Sequence, residues 1–545
     1  MFSSLSDYVK FLESKGELIC IKEFVDPVLE IAEVTDRVSK MPGGGKALLF
    51  ENTGTRYPVL TNMMGSQKRI LYTLGADSFE DIQQKFENII NQVLKEKSTL
   101  MDKLKMFPLL KEASRWLPVN HRGAAPCQEV VKYNAKLSDL PILKCWPQDG
   151  GRFITLPMVH TVSPVTGQRN VGMYRMQVFD DNTTGMHWHK HKTGAKHLSE
   201  SGHRLPVAVC LGGDPLYTYC ATAPLPEGID EYLLAGFLRD KPVEMVECFT
   251  QKIKVPADCD FVIEGYVQKS EPLVLEGPFG DHTGFYSLED YYPQFHVTCI
   301  SHRKDAIYPA TVVGVPPQED KYMALATEKI FLTPIKFVIS PEIEDLYLPE
   351  EGVGHNFAVV KIKKSYDGQA FKVANAMWGA GQMMFNKFLI VVDEDIDIRD
   401  HNALKKTICK HYFPETDTLV SKGPLDILDH TAPRVGFGGK LCIDATTKEY
   451  SRKETVEMDQ IIRVKFDKDE EKSSEYRKLW LLGANCDAER DSSIKNGVLH
   501  LDATSKKVMK GFDREWPDIV TSSEETKARI DSIWELISSE LMFRP

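Results

Sequence analysis

The sequence predicts a multidomain chain of mixed α+β and α/β class, in which a β-rich middle is flanked by two segments that alternate helix and strand. Three observations carry that reading. The chain has 545 residues, against about 100 to 200 for one domain, so more than one full-sized core is expected. From about Asp139 to Ser301, short apolar runs rich in Val, Ile, Tyr and Phe recur between Gly, Pro and Asp, the texture of a barrel or a sandwich. Before and after that stretch, apolar residues recur at helical spacing or gather in short continuous runs.

In chain order, Leu5, Tyr8, Val9 and Leu12 fall on one helical face that stops before Gly16. The run ALLFEN from Ala47 reads as a buried strand behind the Gly-rich turn PGGGK. That turn lacks the GxxxxGK[ST] spacing of a phosphate loop, and Ala47 stands where the metal-binding hydroxyl would be. The middle segment contributes the strand-like runs LPMVHTV, NVGMYRMQVF, VAVCLGG, FVIEGYVQ and QFHVTCISH. After Pro316 and Pro317 the alternation returns with MALATEKIFL, HNFAVVKIKKS and KFLIVVDEDIDI. Between Asp444 and Asp502 lies a polar stretch bracketed by two similar strings, CIDATTK and HLDATSK, too short to define a repeat. It reads as an insertion forming a surface subdomain, with strands at IIRV and LWLLG. Ser522 and Glu525 form a capping-box pattern ahead of Ile530, Ile533, Trp534, Ile537 and Leu541, one apolar stripe that a final helix must bury on its own chain or a partner's.

Composition narrows the function. The net charge is −11 with basic residues scattered, so nucleic acid is not expected as a ligand. No apolar run approaches the roughly 18 residues of a transmembrane helix, and the N-terminus lacks a basic region followed by an apolar one, which fits a cytoplasmic protein. The 11 cysteines are spread singly with no CxxC pair, which argues against a zinc ribbon and fits reduced thiols.

Chemistry concentrates in two segments. Residues 276 to 284 read EGPFGDHTG and set Glu276, Asp281 and His282 among Gly277, Pro278, Gly280 and Gly284. A tight loop carrying two acids suggests proton handling, against a solvated turn whose acids cap backbone amides. The second segment, NVGMYRMQVF followed by GMHWHKHKTG, holds Asn170, Arg175, His187, His189 and His191. On a strand the three alternating histidines would face one side, with Trp188 and Lys190 opposite. With an oxygen ligand such as Asn170 or a carboxylate, they would suit manganese or magnesium, although a solvated His/Lys strand is the plainer alternative. Glu231, heading the apolar run of IDEYLLAGFLRDK, reads in isolation as an exposed acid at a helix start. No GxSxG elbow, GxGxxG after a strand or distinctive nucleophilic cysteine is present.

Together, NVGMYR, HWHKHK, the IDEYLLAGFLR run, EGPFGDHTGFY and AIYPATVVGVPPQED resemble the UbiD family of reversible, non-oxidative decarboxylases. The resemblance runs from VDPVLEIAEVTDR to REWPDI and the last helix, with the 446–500 insertion as the main departure. It implies an N-terminal α/β domain (residues 1–120), a central FMN-binding split β-barrel (121–320) that holds prenylated FMN, and a C-terminal α/β domain (321–545) ending in an oligomerisation helix. Carried over by position, Asn170, His189 and Glu231 would bind Mn²⁺, with K⁺ nearby, at the flavin phosphate; His187 or His191 could replace His189. Met173, Tyr174, Arg175, His187, Trp188, His189, Lys192 and Thr193 would contact the cofactor.

Arg175, Glu276 and Asp281 match the family's catalytic network. Arg175 would hold a substrate carboxylate or keep an acid ionised by charge-assisted hydrogen bonding, and Asp281, its pKa raised by burial, would donate the proton. His282 would tune Asp281 or support the loop. Members acting on acrylic acids resemble EGPFGE, so Asp281 sides with members acting on aromatic acids. A quinone-pathway intermediate, polyprenyl-4-hydroxybenzoate or a dihydroxynaphthoate, is favoured over simple phenolic or acrylic acids. The implied partners are that small aromatic acid, a flavin prenyltransferase as cofactor supplier, and further copies in a dimer or hexamer, with peripheral membrane association if the substrate is prenylated. Competing readings are a split-barrel flavin oxidoreductase with unmodified FMN, and a non-catalytic flavin or partner binder.

Overall fold

The computed structural model describes residues 2–94, 113–189, 192–226, 228–507, 512 and 514–542. The chain forms two compact units. One takes residues 1–82, 90–323 and 519–545, and the other 83–89 and 324–518.

In the first unit, α1 (Leu5–Ser14) starts where Ser4 Oγ accepts the Asp7 amide at 3.0 Å, and it buries Leu5, Tyr8, Val9 and Leu12. β1 (Leu18–Phe24) leads to α2 (Glu30–Ser39) and returns to β2 (Ala47–Asn52), parallel to β1, while β3 (Val59–Thr61) pairs antiparallel with β2. The PGGGK string is the tight turn before β2: Gly44 has φ +86°, and a Cβ there would lie 1.9 Å from the Gly65 carbonyl oxygen.

The main sheet of the β-rich middle is antiparallel. Its strands are β4 (Val130–Lys132), β5 (Met158–Val162), β6 (Arg169–Met173), β7 (Thr183–Gly185), β8 (Arg204–Leu211), β9 (Phe261–Gln268) and β10 (Gln294–His302). They lie in the order β7-β10-β9-β8-β5-β6, with β4 also on β10. Val207, Val209 and Leu211 on β8 and Ile263 on β9 enter the core, each such side chain stabilising by about 1.5–3 kcal/mol. Among the described residues no ladder joins β6 to β7, so the sheet is open rather than a closed barrel. Residues 174–182 link these two outer strands, and Arg175 sits in that link.

The last helix, Glu524–Met542, belongs to this unit. Ile530, Ile533 and Ile537 join the core with Ile31, Val34 and Val38 of α2, so the chain itself buries this stripe; the Leu541 side chain lies outside the described ones. The cap is Ser523, whose Oγ accepts the Thr526 amide at 3.2 Å, one residue beyond the expected Ser522. No described helix is long and apolar enough to cross a membrane, and all 11 cysteines are free.

The second unit holds a sheet of β11 (Ile343–Tyr347), β12 (Phe357–Ile362), β13 (Phe388–Asp393), β14 (Thr418–Pro424) and β15 (Phe437–Asp444) in the order β11-β12-β13-β15-β14, with α5 (His401–His411) between β13 and β14. The expected insertion is an ordered second sheet. β16 (Ile462–Lys465), α6 (Glu475–Asn485), β17 (Ser492–Lys495) and β18 (Val498–Asp502) give the order β16-β18-β17. LWLLG is therefore helix, not strand: Ser474 Oγ caps its start and Glu470 pairs with Arg477 in the first turn.

This second sheet repeats three strands of the first. β13 and β15 are parallel with β14 antiparallel outside, and β16, β18 and β17 reproduce that arrangement, each with an intervening helix 11 residues long. The similar strings are equivalent loops. Thr446 donates its amide and hydroxyl to Asp444 Oδ1, as Thr504 does to Asp502 Oδ1. Lys448 Nζ donates to the Asp444 and Thr446 carbonyls at 2.6 and 3.0 Å, and Lys506 Nζ to those of Asp502 and Thr504 at 2.7 and 2.7 Å.

Candidate active site

The EGPFGDHTG loop is built between strand pieces that pin both ends. Val274–Glu276 pairs with Asp290–Tyr292, and Phe279–Gly280 with Tyr286–Ser287. Gly277 and Gly284, at φ +106° and +85°, occupy the left-handed region that favours glycine. Gly280 is there for a different reason: a Cβ would sit 2.3 Å from Trp146 Cδ1. Two side chains not singled out in the sequence hold the loop from outside. Asp149 Oδ1 accepts the Gly280 amide at 2.8 Å, and Gln177 Oε1 accepts the Gly277 amide at 2.7 Å. Their only sequence signal is position, Asp149 before the Gly150–Gly151 pair and Gln177 two residues after Arg175.

This loop is no solvated turn, since Glu276 is 0% and Asp281 8% exposed. Arg175 joins the acids: Nε donates to Glu276 Oε1 at 3.1 Å, Nη1 to Asp281 Oδ2, and Nη2 to Ser287 Oγ at 3.0 Å, with the guanidinium 4.8 Å from the Phe279 ring centroid. His187 Nδ1 lies 3.0 Å from both Glu276 oxygens. Burial alone would raise both acids. Arg175 and His187 outweigh it at Glu276, and Arg175 and His282 outweigh it at Asp281, so both sit below the ordinary carboxylate range. The expectation that burial keeps Asp281 protonated is thus overturned for this arrangement, because a cation and an imidazole hold it as carboxylate.

The histidine segment differs from the strand the sequence predicts. β7 ends at Gly185, and His187, Trp188 and His189 follow in irregular backbone, which lets Trp188 turn into the core. His187 and His189 still share a side, with ring centroids 4.4 Å apart, and His189 Nδ1 lies 3.3 Å from the Tyr292 hydroxyl. Lys190 and His191 lie outside the described residues.

A second polar group forms on β6. Glu231 heads α4 here, with α3 as Thr193–Glu200 and α4 as Glu231–Arg239; it is 8% exposed, and the Val171 amide donates to its Oε2 at 2.9 Å. Glu231 is therefore not an exposed helix-start acid. Burial, beyond what its backbone donors and Arg169 offset, pushes its pKa up to about 7. Beside it Asn170 Nδ2 is buried without a well-formed acceptor, although the Tyr174 hydroxyl is adjacent, and Trp188 Nε1 is buried without any. Burial raises Tyr174 to about 12. Lys192 precedes α3 and Thr193 begins it, while Met173 closes β6. Among the described residues no three His, Cys, Asp or Glu converge as a metal site. Asn170 and Glu231 both bear on the Tyr174 hydroxyl, whereas the His189 ring packs beside His187 and Tyr292.

Comparison with known proteins matches this architecture. Family models for the N-terminal, Rift-related and C-terminal domains of 3-octaprenyl-4-hydroxybenzoate carboxy-lyase (UbiD) match residues 9–88, 119–316 and 321–445. An uncharacterized protein of Aquifex aeolicus is 45% identical over 543 residues, 99% of this chain and 99% of its own length. The closed form of vanillic acid decarboxylase from Sedimentibacter hydroxybenzoicus superposes with TM-score 0.70 at 27% identity, covering 84% of this chain and 95% of that one. An evolved dimeric form of the UbiD-class enzyme HmfF from Pelotomaculum thermopropionicum, in complex with prFMN, gives TM-score 0.68 at 25% identity, covering 83% and 97%.

Proposed function

The chain belongs to the UbiD family of carboxy-lyases, and from that premise we propose that it reversibly removes the carboxyl group of an aromatic acid with prenylated FMN as cofactor. The observation that carries the proposal is Arg175, one buried guanidinium shared by the two buried acids Glu276 and Asp281. A substrate carboxylate arriving there competes with both acids for the same cation. Losing part of its ion pair, Asp281 keeps only His282 against burial, its pKa rises, and it can hold the proton that it then gives to the carbon that lost CO₂. Glu276, kept ionised with His187, orients Arg175.

The chain has groups that fit the cofactor. Met173, Tyr174, Arg175, His187, Trp188, His189, Lys192 and Thr193 would contact it, with the phosphate at the start of α3, where the positive end of the helix favours an anion. Asn170, Glu231 and His189 would hold Mn²⁺, with K⁺ beside it. The supporting observations are the partnerless Trp188 Nε1, the unsatisfied Asn170 Nδ2, and a buried Glu231 short of counter-charge. Prenylated FMN, when bound, supplies the electrophilic centre that accepts the electron pair released with CO₂. In this reading the open middle sheet, residues 121–320, is the split barrel around it, residues 1–120 and 321–545 are the flanking domains, and a flavin prenyltransferase supplies the cofactor.

Asp281 in place of a glutamate favours a hydroxylated aromatic acid, a quinone-pathway intermediate such as polyprenyl-4-hydroxybenzoate or a dihydroxynaphthoate. Similarity to a vanillic acid decarboxylase supports that class. The test is co-expression with a flavin prenyltransferase, followed by a screen of phenolic, naphthoic and acrylic acids for CO₂ release and for solvent deuterium entering the product. Failure of every acid with cofactor loaded, or hydride transfer from NAD(P)H instead, refutes the proposal.

A further inference from the structure

Asp281 is held at both oxygens, and the two holders face different surroundings. Oδ2 takes Arg175 Nη1 on the buried side. Oδ1 takes the His282 amide at 2.8 Å and the His282 ring Nδ1 at 2.9 Å. The His282 side chain is 27% exposed, against 12% for that of Asp281 and 9% for that of Arg175. The imidazole is therefore the hydrogen-bonded neighbour of Asp281 with the most access to water.

We propose that His282 is the positioning residue that supplies protons to Asp281. The inference rests on the decarboxylase reading, in which Asp281 spends one proton per turnover on the product carbon. An Asp281 carboxylate left after that step is refilled along the existing bond: the His282 Nδ1 proton moves to Asp281 Oδ1, and the ring nitrogen left bare takes a proton back from water. One proton enters from solvent, one crosses from ring to carboxylate and one reaches carbon, with no change in oxidation state. The charged neighbours of this ring include Asp281 in its own loop, with Arg175 on the far side of Asp281, and Asp320 at the start of the helix Asp320–Val338. The backbone half of the clasp, from the His282 amide, survives any side-chain change, so loop geometry and proton supply can be separated.

The experiment uses His282→Gln, which cannot titrate, and His282→Ala, which leaves room for a free base. In the flavin-loaded enzyme, deuterium exchange into the decarboxylated product is followed against pH, with and without added imidazole. We expect both variants to exchange at least roughly tenfold more slowly near neutral pH, the wild-type inflection to vanish in His282→Gln, and imidazole to restore His282→Ala saturably. Variants with the wild-type pH profile, or slow variants that imidazole leaves unchanged, overturn the inference. A second readout needs no cofactor or turnover: the infrared carbonyl band of protonated Asp281, assigned by its loss in Asp281→Asn. Its midpoint should rise by about one pH unit in His282→Gln, because the positive charge of the ring beside Asp281 is removed. An unchanged midpoint overturns the inference even if wild type decarboxylates nothing, an outcome that would separately refute the decarboxylase reading.

Discussion

Replacing Arg175 with methionine, which keeps much of the volume and removes the charge, should convert the site into a pH-sensitive weak point. Wild type holds one guanidinium against two buried carboxylates, with Nη2 3.0 Å from Glu276. At an effective dielectric of about 20, that attraction alone is about 5 kcal/mol. Solvation of the unfolded groups and relaxation of the variant offset part of it, so the expected loss near pH 8 is about 3–5 kcal/mol, the usual cost of leaving buried charge unpaired.

The pH dependence sets this apart from a simple packing defect. In wild type both acids lie below their ordinary range, so their stabilising contribution is complete above it and is lost only on acidification. Without Arg175, His187 alone offsets burial at Glu276, so the pKa of that acid moves up. The folded variant then binds a proton that the unfolded chain releases, and its stability falls as pH rises above the ordinary carboxylate range. Acidifying from about pH 8 to 5.5 should therefore recover part of the loss. Urea unfolding at the two pH values, with hydrogen exchange across residues 274–287 to localise the change, measures this. An equal loss at both pH values, or one below about 1 kcal/mol, would show that Arg175 does not compensate these acids.

Gly280→Ala should destabilise the loop by about 1–3 kcal/mol and lower the melting temperature, because its Cβ meets Trp146 Cδ1 at 2.3 Å; an unchanged melting temperature contradicts the packing described. Asp281→Asn should retain flavin and lose turnover, whereas Glu231→Ala should lose manganese and flavin together, as metal analysis and flavin absorbance will read. In the second unit, buried His430, whose Nε2 donates to Asn485 Oδ1 at 3.1 Å, is pushed down to about 4, chiefly by burial. The unfolded chain thus takes up a proton there first, and stability falls as pH drops from about 6.5 towards 4, by about 2 kcal/mol at pH 5. His430→Asn should flatten that part of the acid-unfolding curve, and an unchanged slope assigns it elsewhere.

How much of the site is legible in the sequence follows from what each side chain does. Glu276, Asp281 and Arg175 are readable because chemistry demands those residue types, and the structure places all three in hydrogen-bond contact. Asp149 and Gln177 are not, because they accept backbone amides, a task many residues share. Glu231 misleads in isolation because its burial depends on β6, distant in sequence, whose Val171 amide it accepts. Helix α6 passes for a strand because LWLLG is one short apolar run, which carries no periodicity of its own. The features that mark it as helix lie outside that run, in the Ser474 cap and in the Glu470–Arg477 pair of the first turn.

The duplicated unit shows the same logic at larger scale. Its two copies share strand order, register and helix length, yet sequence similarity survives mainly in DATTK and DATSK. Lys448 and Lys506 explain why. A buried ammonium costs several kcal/mol unless its donors are satisfied, and each lysine meets that demand with carbonyls of its own loop and a distant acid, Asp417 at 3.4 Å or Asp491 at 3.5 Å. Those acids are set alike, Asp417 Oδ2 accepting the Phe413 amide and Asp491 Oδ2 the Asp487 amide. Strand and helix positions need only the right pattern, so they drift, while Asp, Thr and Lys are tied to specific atoms. The copies then part where the tie is looser. In the first, the Tyr450 hydroxyl donates to Asp417 Oδ1 at 2.8 Å and covers the loop. In the second, the Arg490 side chain pairs with Asp491 instead, and the loop borders a cavity of about 400 Å³ lined by Ser492, Ser493, Thr504 and Ser505. The match to the family's C-terminal domain covers residues 321–445, and the second copy lies beyond it, with the lysine clasp kept and its cover changed.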